Sequence, residues 1–120
     1  GLSFGVCIPY YLDTKGFAAE LRTLVHENCD ALFIMNYYKE NEAEHIRYEV
    51  NLAGEAKIPV TVIYELQPPD GTDLMEINTY FHDGLDAVEE SFSSIRKTLG
   101  NDNLYLALHE YHALKEVSQN

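Results

Sequence analysis

The chain has 120 residues, 46% of them hydrophobic, and a formal net charge of −12 at pH 7; that is the length of one domain with material for an ordinary core. Eight basic side chains against twenty acidic ones cannot build the positive stripe that phosphate backbones or anionic headgroups require, so neither nucleic acid nor a membrane surface is expected as a partner. No apolar run reaches the length of a bilayer span.

The first apolar segment, residues 2–11, reads as a buried strand. The chain opens on Gly1 and Leu2 without an initiator Met or a charged leader, so it reads as processed or cut from something longer, and its compartment stays open. Cys7 lies inside the run and reads as a small core residue. With Cys29 it makes too few thiols for a disulfide framework. Asp13 or Thr14 can cap a helix over 15–27, with Phe17, Leu21, Leu24 and Val25 on one face at helical spacing.

A second buried strand is predicted over 31–37. Asn41 and Glu44 have the spacing of a capping box, and the helix they would open runs to about Lys57 with Ile46, Val50 and Ala53 inward. The stretch 59–64 carries the strongest β signal of the chain, Val60-Thr61-Val62-Ile63. A turn at 68–71 follows, then a short helical or irregular piece over 73–81. Residues 83–99 form a third helix with Leu85, Val88, Phe92 and Ile95 inward, stopped by Gly100. Residues 104–108 are the fourth strand and 111–117 a last short helix. His26 and His45 fall in helices and are expected to be exposed; with His82 they show no partner pattern.

The order is therefore βαβαβαβα, with strands that lack polar alternation. That argues for an α/β fold with a parallel sheet covered on both faces. Four such units fit half of a (β/α)8 (TIM) barrel, a full barrel needing roughly 250 residues; the alternative is a flavodoxin-like open sheet. No glycine-rich phosphate loop follows the first strand, so no nucleotide cofactor is expected.

Each strand ends in aromatic and polar residues: Tyr10-Tyr11-Leu12-Asp13, Asn36-Tyr37-Tyr38-Lys39, Tyr64-Glu65 and His109-Glu110-Tyr111-His112. In a parallel sheet these tails share the carboxyl rim, where α/β proteins build their sites. Tyr10, Tyr37 and Tyr111 suit stacking on a pyranose ring, or simply filling the rim. Asn36 can hold a hydroxyl or orient a carboxylate. Asp13 serves equally as a helix cap. His109 and His112, three residues apart, could hold zinc only with a third ligand such as Glu65 or Asp13; hydrogen bonding to a substrate or to Glu65 is the better expectation, so no metal is expected.

Four segments carry a resemblance. Asp30-Ala31-Leu32-Phe33-Ile34-Met35-Asn36-Tyr37-Tyr38, Ile58-Pro59-Val60-Thr61-Val62-Ile63-Tyr64-Glu65, Thr79-Tyr80-Phe81-His82-Asp83-Gly84 and Leu106-Ala107-Leu108-His109-Glu110-Tyr111-His112-Ala113-Leu114 resemble, in order, parts of uncharacterised glycoside-hydrolase-like barrels. The resemblance implies strands five to eight, the carboxyl-terminal half of a (β/α)8 barrel spanning 1–120. It implies Glu65 as the catalytic carboxylate, with Tyr10, Asn36, Tyr37, His109, Tyr111 and His112 binding a carbohydrate. Asn36 stands where those barrels carry an acid or alanine, and Tyr38 displaces their basic residue to Lys39. The second carboxylate of a glycosidase pair would lie outside this chain, which alone would be inactive. A half barrel exposes an inner layer and two strand edges, so a second copy or a missing amino-terminal half is expected as partner. The competing reading is a non-catalytic binding or assembly module on a flavodoxin-like sheet.

Overall fold

The computed structural model describes residues 5–10, 16–70 and 74–109. Among these residues four strands alternate with three helices: β1 Gly5–Pro9, α1 Ala18–Glu27, β2 Ala31–Met35, α2 Glu42–Ala56, β3 Val60–Glu65, α3 Leu85–Leu99 and β4 Leu104–His109, with a 3-10 turn at Glu76–Asn78 before α3. The expected strand through Tyr11 ends at Pro9, because Tyr10 already turns. The last expected helix, at 111–117, lies outside the described residues.

The sheet is parallel throughout and its order is sequential, β1-β2-β3-β4. Register pairs Ile8 with Ile34 and Ile34 with Val62, and Leu32 with Val60 and Val60 with Leu104. These are core residues, all at even positions, as a side-chain period of two requires. Leu21 and Val25 of α1, Ile46, Val50 and Ala53 of α2, and Val88 and Ile95 of α3 complete that core. One face of the sheet is thus packed by helices.

The odd face is different. Gly5, Cys7, Phe33, Met35, Thr61, Ile63, Tyr105 and Ala107 lie there, and none of them is fully buried. The expectation of strands covered on both faces does not hold among the described residues. Cys7 is exposed rather than core, since its odd position turns it away from the helices. A side chain at Gly5 would come within 2.9 Å of the Phe33 ring, so that ring rests against bare backbone. Cys7 and Cys29 are both free thiols.

Helix ends depart from the expected caps in places. Asn41 adopts a left-handed conformation, φ 55°, and makes no side-chain cap bond; Glu44 is instead held by Arg47 one turn on, Nε to Oε1 at 3.1 Å. Phe17 precedes α1 and is 49% exposed. Gly100 closes α3 at φ 64° with its N–H on Arg96 O, the expected left-handed stop. Among the described residues no helix is long and apolar enough to cross a membrane.

Candidate functional site

Sheet alternation divides the carboxyl rim into two groups. Tyr37, Glu65 and His109 continue the odd, uncovered face; Tyr10 and Asn36 continue the even face toward the helices. Sequence alone assigned all five to one pocket, together with Tyr111 and His112, which lie outside the described residues, as does Asp13.

The first group centres on Glu65. The β3–β4 register sets Glu65 beside His109. The Glu65 side chain is 4% exposed and that of His109 51% exposed. His109 Nδ1 lies 3.0 Å from Oε2 and 3.2 Å from Oε1 of Glu65. A carboxylate only accepts, so Nδ1 carries the proton and Nε2 remains on the far side of the ring. The Gln67 backbone N–H donates to Glu65 Oε1 at 2.9 Å. Tyr37 stacks on the His109 ring, 6.2 Å between centroids and 19° between planes. Burial, then the Glu65 and Cys7 charges, push the Tyr37 phenol up to about 12, so at neutral pH it is a protonated donor.

The loop after β3 holds this arrangement. Thr79 is fully buried, and its hydroxyl lies 2.7 Å from Gln67 O and 3.1 Å from Glu65 O. Tyr80 N–H donates to Glu65 O at 2.9 Å. Asn78 Nδ2 donates to Tyr37 O at 2.6 Å, and Lys39 N–H donates to Ile77 O at 2.9 Å. The 3-10 turn therefore ties the ends of β2 and β3 together. The aromatic element around Thr79 and Tyr80 was visible in the sequence, but the anchoring by Thr79 and Asn78 was not, since neither residue type signals it.

The second group lies under the first turn of α2. Asn36 is 3% exposed; its Nδ2 donates to Glu42 O at 3.1 Å, while its Oδ1 is buried with no hydrogen-bond partner among the described residues. His45 stacks on Tyr10 at 4.8 Å and meets Tyr38 edge-on at 5.5 Å. It is part-buried, contrary to its expected exposure. His26 and His82 also find partners, Glu55 and Glu76, at 3.1 and 2.9 Å.

Between β3, α2 and α3 runs a polar network that sequence reading missed. Glu42 Oε2 accepts from the Tyr80 hydroxyl at 2.7 Å and Oε1 from Ser91 at 2.7 Å. Ser91 spends its one proton on Glu42, so Tyr64 must donate to Ser91, at 2.9 Å. Burial raises the Glu42 carboxyl above the usual range, opposed first by the bond from Ser91 and then by that from Tyr80. Burial likewise raises the phenols of Tyr64 and Tyr80. Lys39 pairs with Asp83 at 2.7 Å and lies 5.6 Å above the Tyr80 ring.

Among the described residues no three His, Cys, Asp or Glu side chains gather as a metal site. No family model, curated protein or solved structure matches this chain. The fold is a parallel α/β sheet with a histidine–carboxylate–tyrosine group at its carboxyl rim.

Proposed function

We propose that the four βα units are half of a (β/α)8 barrel, similar to glycoside-hydrolase-like barrels, and that its carboxyl rim binds a carbohydrate. The observation that carries the reading is the position of Glu65, His109 and Tyr37: one buried carboxylate, one half-exposed imidazole and one stacked phenol, at strand ends on the uncovered face. Sequential strand order with helices on one face supports a singly wound sheet, whereas a flavodoxin-like order needs a reversal that creates a switch point.

The chemistry fits a sugar. A pyranose offers C–H faces for the Tyr37 and His109 rings and hydroxyls for polar atoms. Glu65 accepts from a sugar hydroxyl, and His109 Nε2 reaches the same ligand. A retaining glycosidase uses a second carboxyl about 5–5.5 Å from the first, and the group around Glu65 contains none among the described residues. The chain is therefore proposed to bind, with Glu65 as the catalytic carboxylate only of a larger assembly. Of the residues expected at the pocket, Tyr10 and Asn36 serve as supports behind the rim.

Isothermal titration against a panel of methyl glycosides and short oligosaccharides tests this. Glu65→Gln keeps the shape and removes the charge; it should weaken binding by about tenfold or more, as loss of a charge-assisted hydrogen bond does. Unchanged affinity would remove Glu65 from the site.

A further inference from the structure

Three histidine–carboxylate pairs occur among the described residues, and they are not alike. His26 with Glu55 and His82 with Glu76 are surface pairs whose carboxylates are 51% and 54% exposed. Glu65 is buried beneath a half-exposed His109. A pair in solvent contributes little and fixes little. A buried carboxylate costs desolvation and stays in place through the groups that satisfy it. Thr79 and Tyr80 hold the Glu65 carbonyl, the Gln67 N–H donates to Oε1, and Nδ1 of His109 closes on Oε2.

This order is the reverse of what stability alone asks: the charge is buried, and the ring it holds faces solvent. It is the order of a positioned base, in which a fixed third group orients the imidazole that does the proton transfer. With the Nδ1 proton committed to Glu65, the ring is held in one tautomer and one plane, and the Nε2 lone pair points away from the carboxylate. Tyr37, stacked on the same imidazole, extends the ring surface on which a pyranose can lie.

We infer that His109 is the proton-transferring residue of this rim, that Glu65 is its positioning residue, and that the reaction they promote in the chain as it stands is the interconversion of the two anomers of a reducing sugar. The inference rests on the carbohydrate part of the proposed function and not on the barrel. Nε2 takes the proton of the anomeric hydroxyl O1. The C1–O5 bond breaks as C1–O1 becomes a carbonyl, and O5 receives the proton from Nε2 through a water molecule. Closure on the other face of C1 runs the same steps backward. Nothing is oxidised, no group leaves and no bond to the protein forms, so the second carboxyl that glycoside hydrolysis requires is not needed. The anomeric hydroxyl is the most acidic hydroxyl of a sugar, which suits a neutral imidazole as its base.

Polarimetry of freshly dissolved α-D-glucose, α-D-galactose and α-D-xylose with the whole chain tests the inference. The expected result is a saturable acceleration of at least one of them, about a hundredfold over buffer for the bound sugar. His109→Ala should abolish it, and added imidazole should restore part of it. Glu65→Leu should lower kcat by about tenfold, through lost orientation, and His82→Ala, which removes only a surface pair, should leave the rate unchanged. Nitrogen-15 spectra of the imidazoles give a readout independent of activity: His109 should be protonated at Nδ1 in the neutral ring of the wild type and lose that preference in Glu65→Leu. No acceleration of any of the three sugars overturns the inference, as does acceleration that survives His109→Ala, and a neutral His109 protonated at Nε2 overturns it equally. Unchanged kcat in a folded Glu65→Leu removes the positioning role. If calorimetry shows these sugars bound but not interconverted, this inference alone falls; if neither they nor any glycoside binds, the carbohydrate reading falls and takes this one with it.

Discussion

His109 Nδ1 sits 3.0 Å from the buried Glu65 carboxylate while half of its own side chain remains in solvent. The pair is asymmetric: Glu65 needs its partners, and His109 does not. Removing the carboxylate by Glu65→Leu leaves the Gln67 N–H without its acceptor, so about 1–3 kcal/mol of stability should be lost. His109→Ala leaves Glu65 its Gln67 N–H and lets water in where the half-exposed ring stood, so it should cost less than Glu65→Leu. Urea unfolding of both variants checks this, and a larger loss for His109→Ala would refute the asymmetry.

Tyr37 gives the rim a spectroscopic handle. Its phenol is raised from 10.0 to about 12, first by burial, then by Glu65 and Cys7. The folded chain holds this proton more tightly than the unfolded chain, so the contribution to stability is complete below about pH 10 and is lost as pH rises to about 12. Burial raises the Tyr64 and Tyr80 phenols as well, so an ultraviolet titration should lose one of several late phenol steps in Tyr37→Phe, and that step is assigned to Tyr37. Glu65→Gln should move that step toward lower pH. A step that does not respond to Glu65→Gln would separate the two residues electrostatically.

Glu42 works with the same sign. Burial raises its carboxyl above 4.5, so the folded chain favours the protonated form. Its contribution is complete below about pH 4.5 and declines as pH rises through the raised value. Glu42→Gln should therefore flatten the pH dependence of unfolding above pH 4.5, and Ser91→Ala, which removes the leading opposing bond, should steepen it. Urea midpoints across pH 4–7 would show this. Identical profiles for wild type and Glu42→Gln would contradict it.

The fold was legible because each strand is a run of β-branched and aliphatic residues, and each helix keeps its apolar positions at helical spacing. Val60-Thr61-Val62-Ile63 and the face made by Ile46, Val50 and Ala53 sit as their patterns predict. Cys7 and Phe17 did not follow pattern, because apolar character alone does not say which sheet face or helix flank gains a cover. The site was half legible. Glu65 and His109 were chosen as strand-end residues and do meet, through the register of β3 and β4. Tyr10 and Asn36 were chosen on the same grounds and fall on the other face, since a shift of one residue along a strand reverses direction. The Glu42–Ser91 bond spans 49 residues, and no local spacing announces it.

The most direct test of the proposed rim is a nitrogen-15 correlation spectrum of the chain recorded with increasing amounts of a glycoside panel. Carbohydrate binding predicts concentration-dependent shifts at Tyr37, Glu65, Gln67, Thr79 and His109, absent in Glu65→Gln. A spectrum in which no glycoside moves those amides, while the chain remains folded, would contradict the carbohydrate assignment.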